Sequence, residues 1–485
     1  MRNGAAYLRG LDDGRTVYVD AERIRRVPDH PAFRGITKTV AGLYDAALEP
    51  ERRMTTTSPE TRGPANKIFL IPRSREDLKE RRLAAETWAK MTNGLVGRGP
   101  EHVASFLAGF AGAPDVFARA GQKYADNVAR FYRKVVAEDL YVSYVIVPPQ
   151  VDRSKTAQGQ EERFLQAGVA AERDGGIVIR GAQMLGTAAA VSDYLLVSCI
   201  VPLKAGDEDY ANTFVVPMGS PGLKLYCRPP YAPGKSSVYD YPLSTRFDES
   251  DALAVFDDVF VPWENVFAYR DVELLRAQFF DTAAHALGNT QAQVRLSVKM
   301  KFILGLARKI AAATRVDTFP GVQEKLGELS SLAAIVEGMV LAAEASSTID
   351  RHGVARPNPR FLYGAMGLQA ELYPRALQIL RELCGVGVLQ VPSSYKELVS
   401  PETAPDLQRY VRSPGLAAEE RIKLFRLAWD FAGSEFAGRH QQYEMFYAGA
   451  PHVAKGYAHR FGGGEEAAGL VEAFLSSYGL PREEK

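Results

Sequence analysis

Apolar residues recur at helical spacing through the first quarter of the chain. RSREDLKERRLAAETWAKMT (73–92) sets its apolar positions three and four apart, with charges on the opposite side, which predicts an amphipathic helix. PEHVASFLAGF (100–110) and DVFARAGQKYADNVARFYRKVVAED (115–139) continue that pattern. Near Leu140 the texture changes. LYVSYVIVPPQVDR, FLQAGVAAER, GGIVIRGAQML, DYLLVSCIVPL, NTFVVPM and LKLYCR are short runs rich in Val, Ile, Leu and Tyr, separated by Gly, Asp and Pro, and they read as strands. RDGGIVIRG reads as a hairpin turning at Asp174-Gly175-Gly176. ALAVFDDVFVPWENVF (252–267) supplies one more strand and an exit loop. From about residue 270 the helical period returns over 290–314, 320–352, 361–384 and 417–443, which suits a bundle. The pattern predicts an α+β chain in three parts: a mainly helical N-terminal domain (1–139), a central β barrel or sandwich (140–268) and a C-terminal helical bundle (269–485).

Composition narrows the class. The 485 residues are 46% hydrophobic and 24% charged with a net charge of +1, which gives no electrostatic argument for a nucleic acid, a membrane surface or an acidic partner. The three cysteines, Cys199, Cys227 and Cys384, are few, odd in number and widely spaced, so a reducing cytoplasm is expected rather than a disulfide framework. No CxxC spacing marks a metal or iron–sulfur site, and no metal is expected. The N-terminus has no sustained apolar segment of a signal peptide, and no run approaches a membrane span of ~18 apolar residues.

Candidate chemistry begins at GRGPEH (97–102). Pro100 suits a first helical position. His102 then falls in the first turn, with the permanent cation Arg98 just ahead, where a helix already favours an anion. A solvated arginine and an incidental histidine are an equally good reading of these residues alone. Tyr141 and Tyr144 flank an apolar strand that leaves through a Pro pair; an edge strand with surface tyrosines is the plainer reading. APGKSSV before YDYPLSTRFDESD has the composition of a mobile cover. Arg439, in GSEFAGRHQQYEMFYAG, has the fork geometry to hold a phosphate. The chain has no GxGxxG between a strand and a helix, no GxxxxGK[ST], no HExxH and no GxSxG, so a nicotinamide or ATP site of the usual kind is not expected.

YLRGLDDGRTVYVDAERI, HPAFRG, GRGPEH, VIVPPQVDR, YDYPLSTRFDESDALAVFDDVFVPWENV, VRLSVKMKFILGLA, VPSS (391–394) and RIKLFRLAWDFAGSEFAGRH together resemble the oxygenase component of the two-component 4-hydroxyphenylacetate 3-monooxygenase family, along nearly the whole chain. The resemblance implies an acyl-CoA-dehydrogenase-like fold and a homotetramer. It implies FAD, used as FADH2 supplied by a separate NAD(P)H:flavin reductase, with O2 as co-substrate and a small phenol hydroxylated ortho to its oxygen through a C4a-hydroperoxyflavin. The family's phenol-binding Arg falls at Arg98. Its Tyr falls at His102 and its His at Tyr144, so the two types are exchanged. Flavin contacts carry over to Tyr144, Val145 and Ile146, to Gln150, Val151, Asp152 and Arg153, to Thr187, to Arg439, and to Tyr447, Ala448, Gly449 and Ala450; the lid carries over to Ser236 and Ser237. The family's TNSALTHY is here TAAAVSDY, so polar groups beside Thr187 are fewer, and the lid is short.

Variants of the same chemistry are oxidation of a halophenol with loss of halide and oxidation of a carrier-tethered tyrosine. Relatives that displace halide carry a His where this chain has Gln291. A 4-hydroxybutyryl-CoA dehydratase would need an iron–sulfur cluster that these cysteines do not suit, and nothing marks the catalytic carboxylate of an acyl-CoA dehydrogenase. A non-catalytic flavin-binding homologue is the reading from a different class.

Overall fold

The computed structural model describes residues 1–232, 234, 236–447 and 449–479. Helices Pro31–Ala47, Arg75–Met91, Pro100–Ala111 and Gln122–Glu138 form the first part. Pro occupies an early position in two of them, and Ser74 caps the Arg75–Met91 helix by accepting from Asp77 N. Pro100–Ala111 is buried almost throughout and runs between the β region and the long helix Ala284–Ala313. The two helices approach closely because Gly109 presents no side chain; a Cβ there would lie 2.3 Å from the backbone of Ala284.

The β region is two sheets. One has six strands in the order Glu22–Ile24, Thr16–Val19, Leu223–Cys227, Ala252–Pro262, Gly176–Gln183 and Gly168–Arg173. The other has four, in the order Val266–Ala268, Thr213–Pro217, Tyr194–Val197 and Val142–Val145. Phe214 on one sheet meets Phe256 on the other edge-to-face at 6.1 Å, so the sheets share a core. The hairpin turns through Asp174 and Gly175, with Arg173 opposite Gly176 and Gly175 at φ +83°; Gly176 already belongs to the strand. The first two strands of the six-stranded sheet come from the segment expected to belong to a helical N-terminal domain. Thr16–Val19 is too short to carry a period, and its pairing to Leu223–Cys227 is parallel and distant in sequence.

The bundle comprises Ala284–Ala313, Pro320–Ala345, Pro359–Cys384 and a fourth arm split into Ala418–Ala432 and Glu435–Phe446. The split falls at Gly433 and Ser434, where Ser434 caps the second piece by accepting from Ala437 N. Two further helices, Pro451–Phe461 and Gly464–Leu475, follow. Pro320–Ala345 is long and apolar enough to cross a membrane, which the sequence reading had not expected; in this chain it packs as a bundle helix against Ala284–Ala313 and Pro359–Cys384. One continuous apolar core runs through helices, sheets and bundle.

Candidate active site

The Gly99–Pro100 helix start places Arg98 and His102 one turn apart. Arg98 Nη1 lies 2.5 Å from His102 Nε2. Guanidinium nitrogens only donate, so Nε2 accepts and the imidazole is neutral with its proton on Nδ1. Burial and the Arg98 charge agree, holding the His102 pKa well below its ordinary value. Burial alone would weaken Arg98 as a cation, but the facing Tyr144, Tyr443, Tyr447 and Glu249 raise its pKa, so it stays charged. Its guanidinium carbon sits 4.9 Å from the Tyr144 ring centre and 4.1 Å from that of Tyr447. The Arg98 backbone is held from both sides: its N–H donates to Glu249 Oε1 at 2.6 Å, and its carbonyl accepts from the Tyr141 hydroxyl.

Tyr144 comes from strand Val142–Val145, and its ring centre lies 5.1 Å from that of His102. Phe106, one turn along the helix, closes the same wall against both rings. The three residues singled out from the sequence therefore meet. Tyr447 joins them: its hydroxyl is 2.9 Å from His102 Nδ1 and 3.2 Å from Gln291 Oε1. Gln291 Oε1 is also 3.2 Å from His102 Nδ1, and Gln291 Nε2 donates to Glu101 Oε1 at 2.8 Å. Glu101 is buried, and that burial pushes its carboxyl up to about 7. Tyr447 is also among the residues expected at the flavin; its hydroxyl faces the histidine. Glu101 and Gln291 escaped sequence reading as partners because helix periodicity says nothing about a contact across 190 residues.

Behind this wall lies a second buried layer. Glu444 accepts from Arg295 at 2.7 Å on each oxygen, from Lys299 at 2.8 Å and from Gln369 at 2.9 Å. Arg295 is 5.5 Å and 5.4 Å from the ring centres of Tyr443 and Tyr447, so the ion cluster backs the aromatic wall. Tyr443 packs where Gly97 leaves room; a Cβ there would overlap its hydroxyl.

The predicted flavin residues fall into two groups. Val145 and Ile146 are buried beside the Tyr144 strand, and the chain leaves it through an open segment, with Gln150, Val151 and Arg153 exposed and Asp152 half-buried. Among the described residues, the backbone N–H groups of Gln150, Val151 and Arg153 find no protein acceptor. Tyr447, Gly449 and Ala450 lie between two helices, with Gly449 at φ +98°; Ala448 lies outside the described residues. Thr187 is buried, and its hydroxyl donates to Asp251 at 2.7 Å. Arg439 differs from expectation. It forks onto Asp251 at 2.8 and 3.1 Å and reaches Glu249 at 3.4 Å, so its donors are directed at carboxylates rather than at a phosphate. Arg439 and Arg228 together hold the Asp251 carboxyl well below the usual range, although burial acts the other way.

The lid segment is tied down. Asp240 accepts from Ser237 Oγ at 2.8 Å and from Tyr395 N at 2.7 Å, which links it to the VPSS segment of the bundle. Ser236 is half-buried, and Pro233 and Lys235 lie outside the described residues. An open cavity of 680 Å³ lies elsewhere, lined by Phe280, Arg356, Tyr363 and Phe461, and includes none of the predicted site residues.

Two family profiles match: 4-hydroxyphenylacetate 3-hydroxylase N terminal over residues 3–268 and the corresponding C terminal over 275–476. The chain is 34% identical to the 4-hydroxyphenylacetate 3-monooxygenase oxygenase component of Pseudomonas aeruginosa, over 98% of this chain and 92% of that protein. It is 35% identical to a Streptomyces globisporus monooxygenase named for a (3S)-3-amino-3-(3-chloro-4-hydroxyphenyl)propanoyl group on a peptidyl-carrier protein, over 92% of this chain and 84% of that one. A crystal structure of the oxygenase component of 4-hydroxyphenylacetate 3-monooxygenase complexed with FAD and 4-hydroxyphenylacetate superposes with a TM-score of 0.93, at 33% identity, over 98% of this chain and 99% of that one. An archaeal 4-hydroxybutyryl-CoA dehydratase (TM-score 0.89, 20% identity) and an acyl-CoA dehydrogenase from Geobacillus kaustophilus (0.51, 12%) share the fold.

Proposed function

The chain belongs to the 4-hydroxyphenylacetate 3-hydroxylase family, and from its site geometry we propose that it is the oxygenase component of a two-component, FADH2-dependent monooxygenase that converts a phenol to a catechol. The observation that carries this reading is a permanent cation in direct contact with the acceptor nitrogen of a neutral histidine, inside an aromatic wall. A phenol O–H that displaces this contact would donate to His102 Nε2 and accept from Arg98.

The phenol proton passes to His102 as the phenolate forms beside Arg98, its negative charge offsetting the burial and cationic repulsion that otherwise keep the imidazole neutral. Tyr144, whose own pKa is raised by burial, stays protonated and can donate to the same oxygen. Negative charge on that oxygen enriches the ortho carbon, which becomes the nucleophile. Bound reduced FAD, with O2, supplies the electrophilic oxygen atom. The free backbone N–H groups of Gln150, Val151 and Arg153, the residues Tyr447, Gly449 and Ala450 and the buried Thr187 suit a polar, planar cofactor, while Phe106 and Tyr144 keep water from the reacting atoms.

A separate NAD(P)H:flavin reductase supplies the reduced flavin. The substrate is a small phenol, free or carrier-tethered, whose para substituent passes the Ser236–Asp240 lid. The working form is a homotetramer, consistent with Ile335 and Leu341 on Pro320–Ala345 and with Leu470, Val471, Phe474 and Leu475 on the last helix, all exposed in the single chain. Three free, buried cysteines suit a cytoplasmic protein. The test is catechol formation from a panel of para-substituted phenols with FAD reduced by an added reductase. Catechol from at least one phenol, falling roughly 30- to 1000-fold in Arg98→Ala, is expected for a lost charge-assisted contact of about 2–4 kcal/mol. Undiminished turnover in that variant would refute the assignment.

A further inference from the structure

We infer that Glu101 is a positioning residue for this chemistry: through Gln291 and Tyr447 it fixes the proton of His102 on Nδ1, leaving Nε2 as the atom that takes the substrate proton. The inference rests on the phenol-binding reading above and adds Glu101 and Gln291, which that reading does not use.

The direction of each hydrogen bond follows from what each atom can do. Above about pH 7 Glu101 is a carboxylate, whose oxygens only accept, so the Gln291 amide presents its nitrogen to Glu101 and its oxygen to the other side. That oxygen only accepts, and its two neighbours are Tyr447 Oη and His102 Nδ1. Both must point hydrogens toward it or toward each other: Nδ1–H donates to Tyr447 Oη or to the amide oxygen, and Tyr447 O–H donates to the amide oxygen. On the far side of the ring Arg98 can only donate to Nε2. One carboxylate thus orients an amide, a phenol and an imidazole in series. Gln291 cannot pass a proton on, so the series orients and polarises rather than conducts. Once Nε2 is protonated, its positive charge is met by oxygens aligned toward Nδ1 and, at the end, by Glu101.

The fold is built to admit this carboxylate. Its Oε2 tucks under Gly99, where a Cβ would lie 2.4 Å away, and that oxygen is buried without a partner. The groups facing the series come from every packed element. Arg98 and Arg295 oppose a charge on His102, and Tyr144 and Tyr447 line it; Glu249 opposes and Arg295 favours ionised Glu101, with Tyr141 alongside.

The test uses flavin-free enzyme and 4-nitrophenol, whose phenolate is yellow, so the ionised fraction of bound ligand is read directly against pH. In the wild type, bound nitrophenol is expected to ionise at lower pH than free nitrophenol. In Glu101→Gln, a near-isosteric change, about tenfold less phenolate is expected at a given pH above about 7, where Glu101 is ionised, with affinity for the neutral phenol unchanged. Glu101→Asp is expected to restore part of the difference. A Glu101→Gln titration that overlays the wild type would overturn the inference while leaving the phenol site intact. Failure of the wild type to ionise bound nitrophenol would instead overturn the underlying reading. A second measurement needs no variant: imidazole nitrogen NMR of 15N-histidine-labelled enzyme should show His102 neutral and protonated at Nδ1. An Nε2–H ring would contradict the inference.

Discussion

Glu444 is the keystone of the buried layer behind the aromatic wall, and replacing it with Gln should be costly. Its side chain is fully buried and accepts four hydrogen bonds, two from Arg295, one from Lys299 and one from Gln369. Burial raises its pKa, but Arg295 and Lys299 overcome that and bring it from 4.5 to about 2. That drop corresponds to about 3 kcal/mol of stability. The pair of buried cations left by Glu444→Gln sets the cost of the mutation, and breaking a buried pair costs roughly 3–5 kcal/mol. The lower end is expected, because Lys299, already brought down to about 8 by burial, can shed its proton, whereas Arg295 cannot. Scaling unfolding entropy to 485 residues, about 2 cal/mol/K per residue turns this into a Tm lowered by roughly 3–5 °C. Because the folded pKa is the depressed one, the contribution is complete above 4.5 and is lost as pH falls toward 2. Differential scanning fluorimetry of both proteins at several pH values should therefore show a constant gap near neutrality that narrows in acid. A variant within 1 °C of the wild type at neutral pH would refute the reasoning.

Gly109→Ala should destabilise the protein by about 1–3 kcal/mol, since the added methyl meets the backbone of Ala284 rather than a side chain that can move; chemical denaturation compared with the exposed control Gly305→Ala checks this. Asp240→Ala removes the tie between Ser237 and Tyr395, so the lid loosens: a severalfold rise in H2O2 released per catechol formed is expected, with the fold and Tm close to wild type. Arg98→Lys keeps the charge but loses the fork and the stacking on Tyr144 and Tyr447, so turnover should fall at least tenfold while remaining above that of Arg98→Ala.

Arg98, His102 and Tyr144 were singled out by the family resemblance, since local rules alone left a solvated arginine and surface tyrosines as fair readings; the structure brings the three side chains together. The long amphipathic helices were legible because their apolar period is set locally. What the pattern missed depends on distant partners. Thr16–Val19 is a strand because Leu223–Cys227 lies beside it. The fourth bundle arm reads as one helix until Ser434 caps a second one. Arg439 looked like a phosphate ligand because its fork suits either anion, and only the fold shows that Asp251 occupies it. Glu101 lay in plain view beside His102, yet nothing local says that its carboxylate turns toward Gln291, on a helix that begins 183 residues later.

The central claim is that this pocket delivers an oxygen atom to a phenol. The most direct measurement is a single turnover of the enzyme with reduced FAD and ¹⁸O2 in the presence of a para-substituted phenol, followed by mass analysis of the product. The expected product is a catechol carrying one ¹⁸O ortho to the original oxygen, in yield approaching that of the flavin oxidised. Complete oxidation of the flavin with all the oxygen recovered as H2O2, and unaltered phenol across the whole panel, would contradict it.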